Sequence, residues 1–350
     1  MAKEDSSFPD LLKKYQPYLS LSPDYFKVFS ELITNIIYKD NDNSFSLQYK
    51  LYYGIIASSN IGTRILIEDF KKKFLLYEGD TSWVTQGINN EKIPKHIKGF
   101  AKMSEILVHK PWIIHSAHFA EFDNGLTFFL FQSAIILTTI HRFATIISVL
   151  NIFFDKDNSN NELNKENEKI KEKYILNPIE YENFDSHNDK YLYTEDFEWK
   201  TNAKYFFSDY AEKEMDFLEK ELKYLDNLSN EQINEDNIFF KKNAVEHYVG
   251  IILGINDREY DYHNTNKILS IRLKTLIKKI ACFPEKLYEE RLSELLDILD
   301  KNNLVRLILL VTAIKQKICL TFFAKAFDDF SSNKKNFNYN KSELEEYSDK

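Results

Sequence analysis

Apolar side chains recur every three or four residues over most of the chain, which is the spacing of an amphipathic helix. In the first part this period runs through 44–77, and a further helix is predicted over 99–108. In the second part it predicts helical segments over 204–228, 237–254, 266–282, 284–299 and 304–327. No strand pattern competes, so the sequence predicts an all-α fold.

The most apolar segment, 126–154, is long enough to span a bilayer. However, Gln132, His141 and Arg142 lie inside it, and a charged side chain near the centre of a spanning helix is costly. The small and hydroxyl side chains between them suit close helix packing. We therefore expect a buried central helix here and no membrane span.

Two segments lack this apolar period, the acidic stretch 155–195 and the polar end 328–350. Such segments bury too little apolar surface to offset the entropy of ordering, so we expect both to be disordered. The sequence then divides into an N-terminal helical segment, a first helical half, an acidic linker, a second helical half and a tail: 1–40, 41–154, 155–195, 196–327 and 328–350.

Composition narrows the class of protein. Eight Gly and seven Pro among 350 residues amount to about 4%, against roughly 12% on average, which argues against a many-stranded sandwich or barrel. Two cysteines, Cys282 and Cys319, cannot form a disulfide framework and indicate a reducing compartment. A net charge of −8 disfavours a nucleic-acid binder. The start, 1–10, is polar and acidic, unlike a signal peptide.

One short pattern occurs twice. The sequence YYGII around Gly54 is similar to YVGII around Gly250, and both lie inside predicted helices. Glycine in a helix interior costs about 1 kcal/mol relative to alanine, so paired glycines suggest close packing at equivalent places.

Several longer motifs stand in a fixed order over roughly 40–327. In the first half they are YKLYYGIIA at 49–57 and LVHKPWII at 107–114. In the second half they are FEW at 197–199, the segment from Gly254 to Tyr262, and CFPEK at 282–286. None of them is specific alone, but the ordered set resembles the sestrin family.

This resemblance implies two similar all-helical halves, related to alkylhydroperoxidase-type domains and joined by a disordered linker. It also implies three properties: a peroxide-linked redox activity in the first half, leucine binding in the second, and suppression of TOR kinase signalling through GATOR complexes.

The redox positions of the family depart from its pattern here. The cysteine position falls on Thr63, and the accompanying tyrosine and histidine positions fall on Ile65 and Phe70. A threonine hydroxyl cannot be oxidised to a sulfenic acid, so the peroxidatic step has no reagent. His118 and His141 match family histidines, but they have no thiol to activate, and we interpret them as structural.

The leucine positions are also altered. The carboxylate-binding arginine falls on Lys242, the amine-binding glutamate on Asn303 and the aromatic pocket wall on Leu296. Lysine is a weaker, monodentate substitute for arginine, and asparagine lacks the charge that pairs with an amine. We expect leucine binding to be weak, and an exposed helix lysine explains Lys242 equally.

The family's contact loop for its GATOR partner is partly kept. Tyr260, Asp261 and Tyr262 match, whereas the preceding acidic pair is Arg258 and Glu259. Arginine and tyrosine are frequent hot-spot residues, so these five residues are candidates for partner binding. The reversed charge could equally reject the usual partner, and a purely structural loop is the alternative.

The spacing of one group of residues is similar to that of metal ligands on a helix. His115, His118 and Glu121 follow an HxxHxxE pattern, but their apolar neighbours indicate packing on a core. We expect neither a metal nor another cofactor.

The sequence therefore predicts a sestrin homologue that acts by protein binding as a negative regulator of TOR signalling, in the cytoplasm, with the nucleus left open. Two alternatives remain: an alkylhydroperoxidase-like antioxidant enzyme, which the missing thiol disfavours, and a divergent amino-acid or metabolite sensor in which Lys242 pairs an anionic group.

Overall fold

The fold is all-α and consists of two helical halves. The computed structural model describes residues 7–20, 23–40, 45–120, 122, 127–154, 173–175, 197–230, 242–255, 262–289 and 299–348. These residues are almost entirely helical, and no β-strand occurs among them, which confirms the predicted fold class.

The described parts of the N-terminal segment and the first half together contain seven α-helices: α1 (Ser7–Leu19), α2 (Pro23–Ile33, extended by a π-helical turn to Tyr38), α3 (Leu47–Ile61), α4 (Arg64–Leu76), α5 (Thr81–Gln86), α6 (Lys95–His109) and α7 (Thr127–Phe154). The described part of the second half contains six: α8 (Lys204–Tyr210), α9 (Glu212–Asn230), α10 (Lys242–Ile252), α11 (Tyr262–Ile268), α12 (Ile271–Cys282) and α13 (Lys301–Ser348).

Polar side chains cap several of these helices at their first turn. Ser46 accepts a hydrogen bond from the Tyr49 N–H at the start of α3, and Ser270 does the same for α12. Asp300 accepts from the Asn303 N–H at 2.9 Å at the start of α13. Each cap satisfies a backbone donor that has no partner within the helix.

Helices α7 and α13 form the centre of the molecule and pack against each other. Thr127–Phe154 and Lys301–Ser332 are long and apolar enough to cross a membrane by length and composition alone. Their most apolar stretches are 100% and 94% buried inside the protein, as in the core helices of globular proteins. The segment 126–154 is therefore a buried central helix, as expected.

The structure divides the segment 44–77 into two helices, where the apolar period had run on without interruption. Gly62 adopts a left-handed conformation, with φ of 81°, and its N–H bonds to the Ser58 carbonyl at 2.9 Å. This left-handed cap ends α3, and α4 begins two residues later.

Helix α13 continues past Phe327 to Ser348, through most of the segment 328–350 that we expected to be disordered. That segment contains neither Gly nor Pro, so no residue in it stops the backbone hydrogen bonds. In contrast, the helix predicted over 284–299 is a 3₁₀ turn over Pro284–Glu289, and 290–298 lies outside the described residues. The linker expected over 155–195 also lies outside them, except for 173–175.

The two repeated glycines differ in their packing. A Cβ atom at Gly54 would lie 2.4 Å from Cδ1 of Phe70, so α3 and α4 approach too closely for any larger residue. A Cβ atom at Gly250 would meet the nearest atom, Cβ of Ile255, at 3.7 Å, an ordinary contact. The prediction of close packing is confirmed at Gly54 and wrong at Gly250.

A short piece of the connection between the halves is anchored on the first half. The Tyr174 side chain is buried, and its hydroxyl donates to the Val84 carbonyl at 2.9 Å. Its ring lies 6.5 Å from that of Tyr52. The neighbouring Lys173 carbonyl rests on Gly87, where a Cβ atom would stand only 2.1 Å from that oxygen.

Candidate functional site

A buried ion pair joins the two halves at the centre of the molecule. Arg142 on α7 donates to Glu221 on α9 through Nη1 at 2.6 Å and Nη2 at 2.8 Å. Tyr25 on α2 donates its hydroxyl to the same carboxylate at 2.8 Å. Burial next to this carboxylate raises the pKa of Tyr25 well above its usual value, so the phenol stays protonated and can donate.

Amide and hydroxyl groups continue this network toward α13. Gln316 accepts from Arg142 Nη1 at 3.4 Å and donates to the Thr139 hydroxyl at 3.0 Å. Arg142 is an unusual residue in an apolar helix, and the amino-acid sequence alone does not identify its partner. A buried arginine needs an acidic partner to neutralise its charge. The sequence does not distinguish Glu221 from the other acidic residues of α9.

A second polar chain reaches the histidine of α7. Asn60 donates to the Ser104 hydroxyl at 2.7 Å, and that oxygen lies 2.9 Å from Nε2 of His141. Burial lowers the pKa of His141 well below its usual value, and the positive charge of Lys315 lowers it further. His141 is thus a neutral, hydrogen-bonded core side chain, in agreement with its structural interpretation.

The three redox positions lie in the core around the start of α4. The Thr63 hydroxyl donates to the Ala144 carbonyl at 3.1 Å, and the residue is only 4% exposed. Ile65 is half-buried against the core. Phe70 is fully buried between Gly54 and Tyr38, whose ring it stacks on at 5.6 Å. These side chains supply packing and one hydrogen bond, and none of them is a redox group.

Both thiols are buried in the second half. Cys319 on α13 donates to the Leu107 carbonyl at 2.9 Å, and Cys282 ends α12. Burial raises the pKa of Cys282 to about 11 and that of Cys319 to about 12, although the nearby Lys315 lowers both. The reactive thiolate is therefore scarce at neutral pH.

The leucine-site positions are occupied by local interactions. Lys242 at the start of α10 forms an ion pair with Asp226 at 2.8 Å, and Nδ2 of Asn303 donates to Asp300 at 2.6 Å. Lys242 and Asn303 thus each bind a different acidic residue, and Leu296 lies outside the described residues. The cation that would bind a carboxylate is thus already paired with an acid.

The candidate partner loop is described only at its ends. Arg258, Glu259, Tyr260 and Asp261 lie outside the described residues, and Tyr262 begins α11. Just before the loop, Gly254 adopts φ of 86°, and a Cβ atom there would lie 3.1 Å from Cβ of Trp112. Two of the sequence motifs, one from each half, therefore meet at this point.

The histidine pair of the HxxHxxE pattern forms a local cap instead of converging along an α-helix. His115 caps a short 3₁₀ turn, and its ring lies 4.1 Å from that of His118. Glu121 lies outside the described residues, and within those residues no group of three potential metal ligands occurs.

Comparison with known proteins now decides the family. The family model described as PA26 p53-induced protein (sestrin) matches residues 2–177 and 156–330. The chain belongs to the sestrin family. Its matches include a sestrin homolog of Dictyostelium discoideum, 32% identical over 96 residues, which are 27% of this chain and 15% of that protein.

Other sestrins match over similar stretches. Sestrin-2 of Homo sapiens is 24% identical over 134 residues, which are 37% of this chain and 27% of its own length. The sestrin homolog of Drosophila melanogaster is 28% identical over 91 residues, 26% of this chain and 18% of its own length. The aligned parts therefore span between about a seventh and a quarter of these sestrins, and the two repeated family matches agree with two helical halves.

Proposed function

We propose that this sestrin homologue acts by protein binding, as a negative regulator of TOR kinase signalling in nutrient or stress response. Family membership over most of the chain supports a regulatory role. The observation that carries the proposal is Thr63, whose buried hydroxyl is committed to the Ala144 carbonyl at the position where the family pattern has a cysteine. Peroxide reduction in this family needs that thiol, whereas protein binding does not. Binding is therefore the family property that this chain can retain.

The proposed partner is a GATOR-type regulatory complex upstream of TOR, contacted through residues 258–262. Tyr260, Asp261 and Tyr262 supply the matching element of the contact. Gly254, four residues before Arg258, lies close to Trp112 of the first half, where a Cβ atom on the glycine would be 3.1 Å from Cβ of the tryptophan. Arg258 reverses one charge, so we expect weaker affinity than for a loop with two acids.

The test is affinity purification of the full chain from cells, followed by identification of co-purifying GATOR-type components. A Tyr260→Ala, Tyr262→Ala variant should lose them, and Arg258→Glu should enrich them. Lys72→Ala, an exposed lysine in the first half, is the matched control. In the same cells, phosphorylation of a TOR kinase substrate should fall with the wild-type chain and not with the tyrosine variant.

Two results would remove the proposal. One is the absence of GATOR-type components from all purifications, and the other is unchanged TOR substrate phosphorylation. We also propose a cytoplasmic location, with the nucleus as the alternative, which imaging of the tagged chain checks.

Leucine sensing has weaker support, since Lys242 is paired with Asp226. Thermal unfolding with and without leucine, using Lys242→Ala as the control, tests it directly. We expect no leucine-dependent change in the midpoint for either protein.

A further inference from the structure

Helix α12 turns one side toward the protein core and the other toward solvent. The buried side carries apolar residues that follow the period of the helix: Leu273, Leu276, Ile277 and Ile280. The opposite side carries six residues that are exposed or half-buried: Ile271, Arg272, Lys274, Thr275, Lys278 and Lys279. Four of these six residues are cations and none is an acid, so the outer side of α12 is strongly basic.

Ile271 is an unusual member of this basic surface, because its side chain is 80% exposed. No other large apolar side chain in the described part of the chain is as exposed. At about 100° per residue, Ile271 lies between Arg272 on one flank of the helix and Lys274 on the other. An apolar side chain that projects into solvent between two cations suits the boundary between water and an apolar phase.

Three cations of this region have no acidic partner in the described part of the chain. Arg272, and Lys267 at the exposed end of the neighbouring α11, form no ion pair there. Lys274 donates to a neutral group, the Asn266 side-chain oxygen, at 2.6 Å. The two other lysines of α12 make further contacts within the chain, so we assign no binding role to them.

Two described acids near α12 act on cations of other elements. Glu285, which follows α12, is half-buried, and its negative charge raises the pKa of Lys315 against the larger lowering by burial. Glu246 on α10 pairs with Lys317 at 3.6 Å. The outer side of α12 therefore keeps its positive charge in a chain whose net charge is −8.

A membrane surface fits this arrangement better than a folded acidic protein or a nucleic acid. The outer side of a 12-residue helix is about 18 Å long and about 10 Å wide, whereas a standard protein interface buries about 800 Å² per partner. Nucleic-acid phosphates would pair with the cations but offer no apolar phase to Ile271. Anionic lipids offer both, because their headgroups attract cations and the acyl boundary below accepts an apolar side chain.

We propose that the outer side of α12, together with Lys267 of α11, docks on a membrane surface that contains anionic lipids. Lys267, Arg272 and Lys274 attract the headgroups, and Ile271 enters the boundary between headgroups and acyl chains. Docking is peripheral and reversible, since stable anchoring takes more apolar surface than one side chain supplies.

The first test is co-sedimentation of the full chain with phosphatidylcholine vesicles, with and without one third phosphatidylserine, at low ionic strength. We expect binding only when phosphatidylserine is present, and loss of binding as salt screens the headgroup charge. Arg272→Gln, Lys274→Gln should weaken binding about 25-fold, at about fivefold per cation. Lys213→Gln, Lys223→Gln, which removes two exposed cations of α9, is the matched control and should bind like the wild type.

The second test follows Ile271 itself. Ile271→Ser should weaken vesicle binding about fivefold, because it removes the apolar side chain and keeps the cations. An environment-sensitive dye on Ile271→Cys should show a blue-shifted, brighter emission with the phosphatidylserine vesicles. Poly-glutamate, a soluble polyanion, should leave the emission unchanged. Burial of both native thiols keeps the label on residue 271.

A loop variant separates this proposal from the proposed function. Tyr260→Ala, Tyr262→Ala should keep vesicle binding while it loses the protein partner. Three results overturn membrane docking: equal binding with and without phosphatidylserine, unchanged binding of Arg272→Gln, Lys274→Gln, or a dye at residue 271 that stays in water on bound vesicles. An equal dye response to poly-glutamate also overturns it, since the surface then recognises an acidic polypeptide.

Discussion

Arg142 of α7 and Glu221 of α9 form a two-pronged ion pair in which both side chains are almost completely buried, at 1% and 0% exposure. Both carboxylate oxygens are engaged, and Tyr25 adds a third donor. The pair links the central helix of the first half to the second half, where water cannot replace either partner. Removing one partner alone leaves the other as a buried, unpaired charge.

We therefore expect Arg142→Met to lower the free energy of unfolding by about 3–5 kcal/mol. Glu221→Leu should have a similar effect, because it strands the guanidinium. The double variant should lose much less than the sum of the two, since neither charge is then buried alone. Urea unfolding of the four proteins measures this coupling, and additive losses would contradict it.

The contact between Gly54 and Phe70 gives a second prediction. Gly54→Ala places a methyl group in the Phe70 ring, and overpacking of this kind costs about 1–3 kcal/mol. Gly250→Ala is the matched control, because its methyl group has room and gains up to about 1 kcal/mol of helix propensity. Denaturant midpoints should shift in opposite directions, and the addition of Phe70→Leu to Gly54→Ala should recover stability. Equal shifts for the two alanine variants would show that the close approach is not important.

The thiols provide a third prediction. With pKa values of about 11 and 12, Cys282 and Cys319 should barely react with a thiol reagent at pH 8 in the native protein. Both should react promptly after unfolding in guanidinium. Peroxide consumption by the purified protein should be the same for the Cys282→Ser, Cys319→Ser variant. Thiol-dependent turnover that this variant loses would favour the antioxidant alternative.

His141 makes stability depend on pH. Its pKa is lower in the folded protein than the value of about 6.5 expected after unfolding. The unfolded chain therefore binds more protons as the pH falls below about 6.5, and stability should decrease there by up to about 1.4 kcal/mol per pH unit from this group. At higher pH the contribution is fully present. Urea midpoints between pH 5 and 8 should show this slope in the wild type and lose part of it in His141→Asn.

The exposed His263 gives the control for that experiment. His263→Gln should keep the wild-type slope. If His141→Asn also keeps it, the acid sensitivity belongs to other groups.

The sequence predicted the helical class and the buried central helix because apolar periodicity records which face of a helix is covered. It did not predict the break between α3 and α4, because the apolar period continues across Gly62 and only the backbone conformation ends the helix. It also missed Glu221, since a buried acid on a charged amphipathic helix resembles its solvated neighbours. Gly250 shows the same limit, because a repeated motif does not specify what packs against it.

The anchoring of Tyr174 changes how the connection between the halves behaves as a tether. A chain held at one internal point closes two short loops instead of one long loop, and the entropy of closure rises only slowly with loop length. While Tyr174 stays bound to the first half, only residues 176–196 separate this anchor from the described start of the second half at Phe197. The anchor therefore makes the ordering of residues 173–175 part of the folding of the first half.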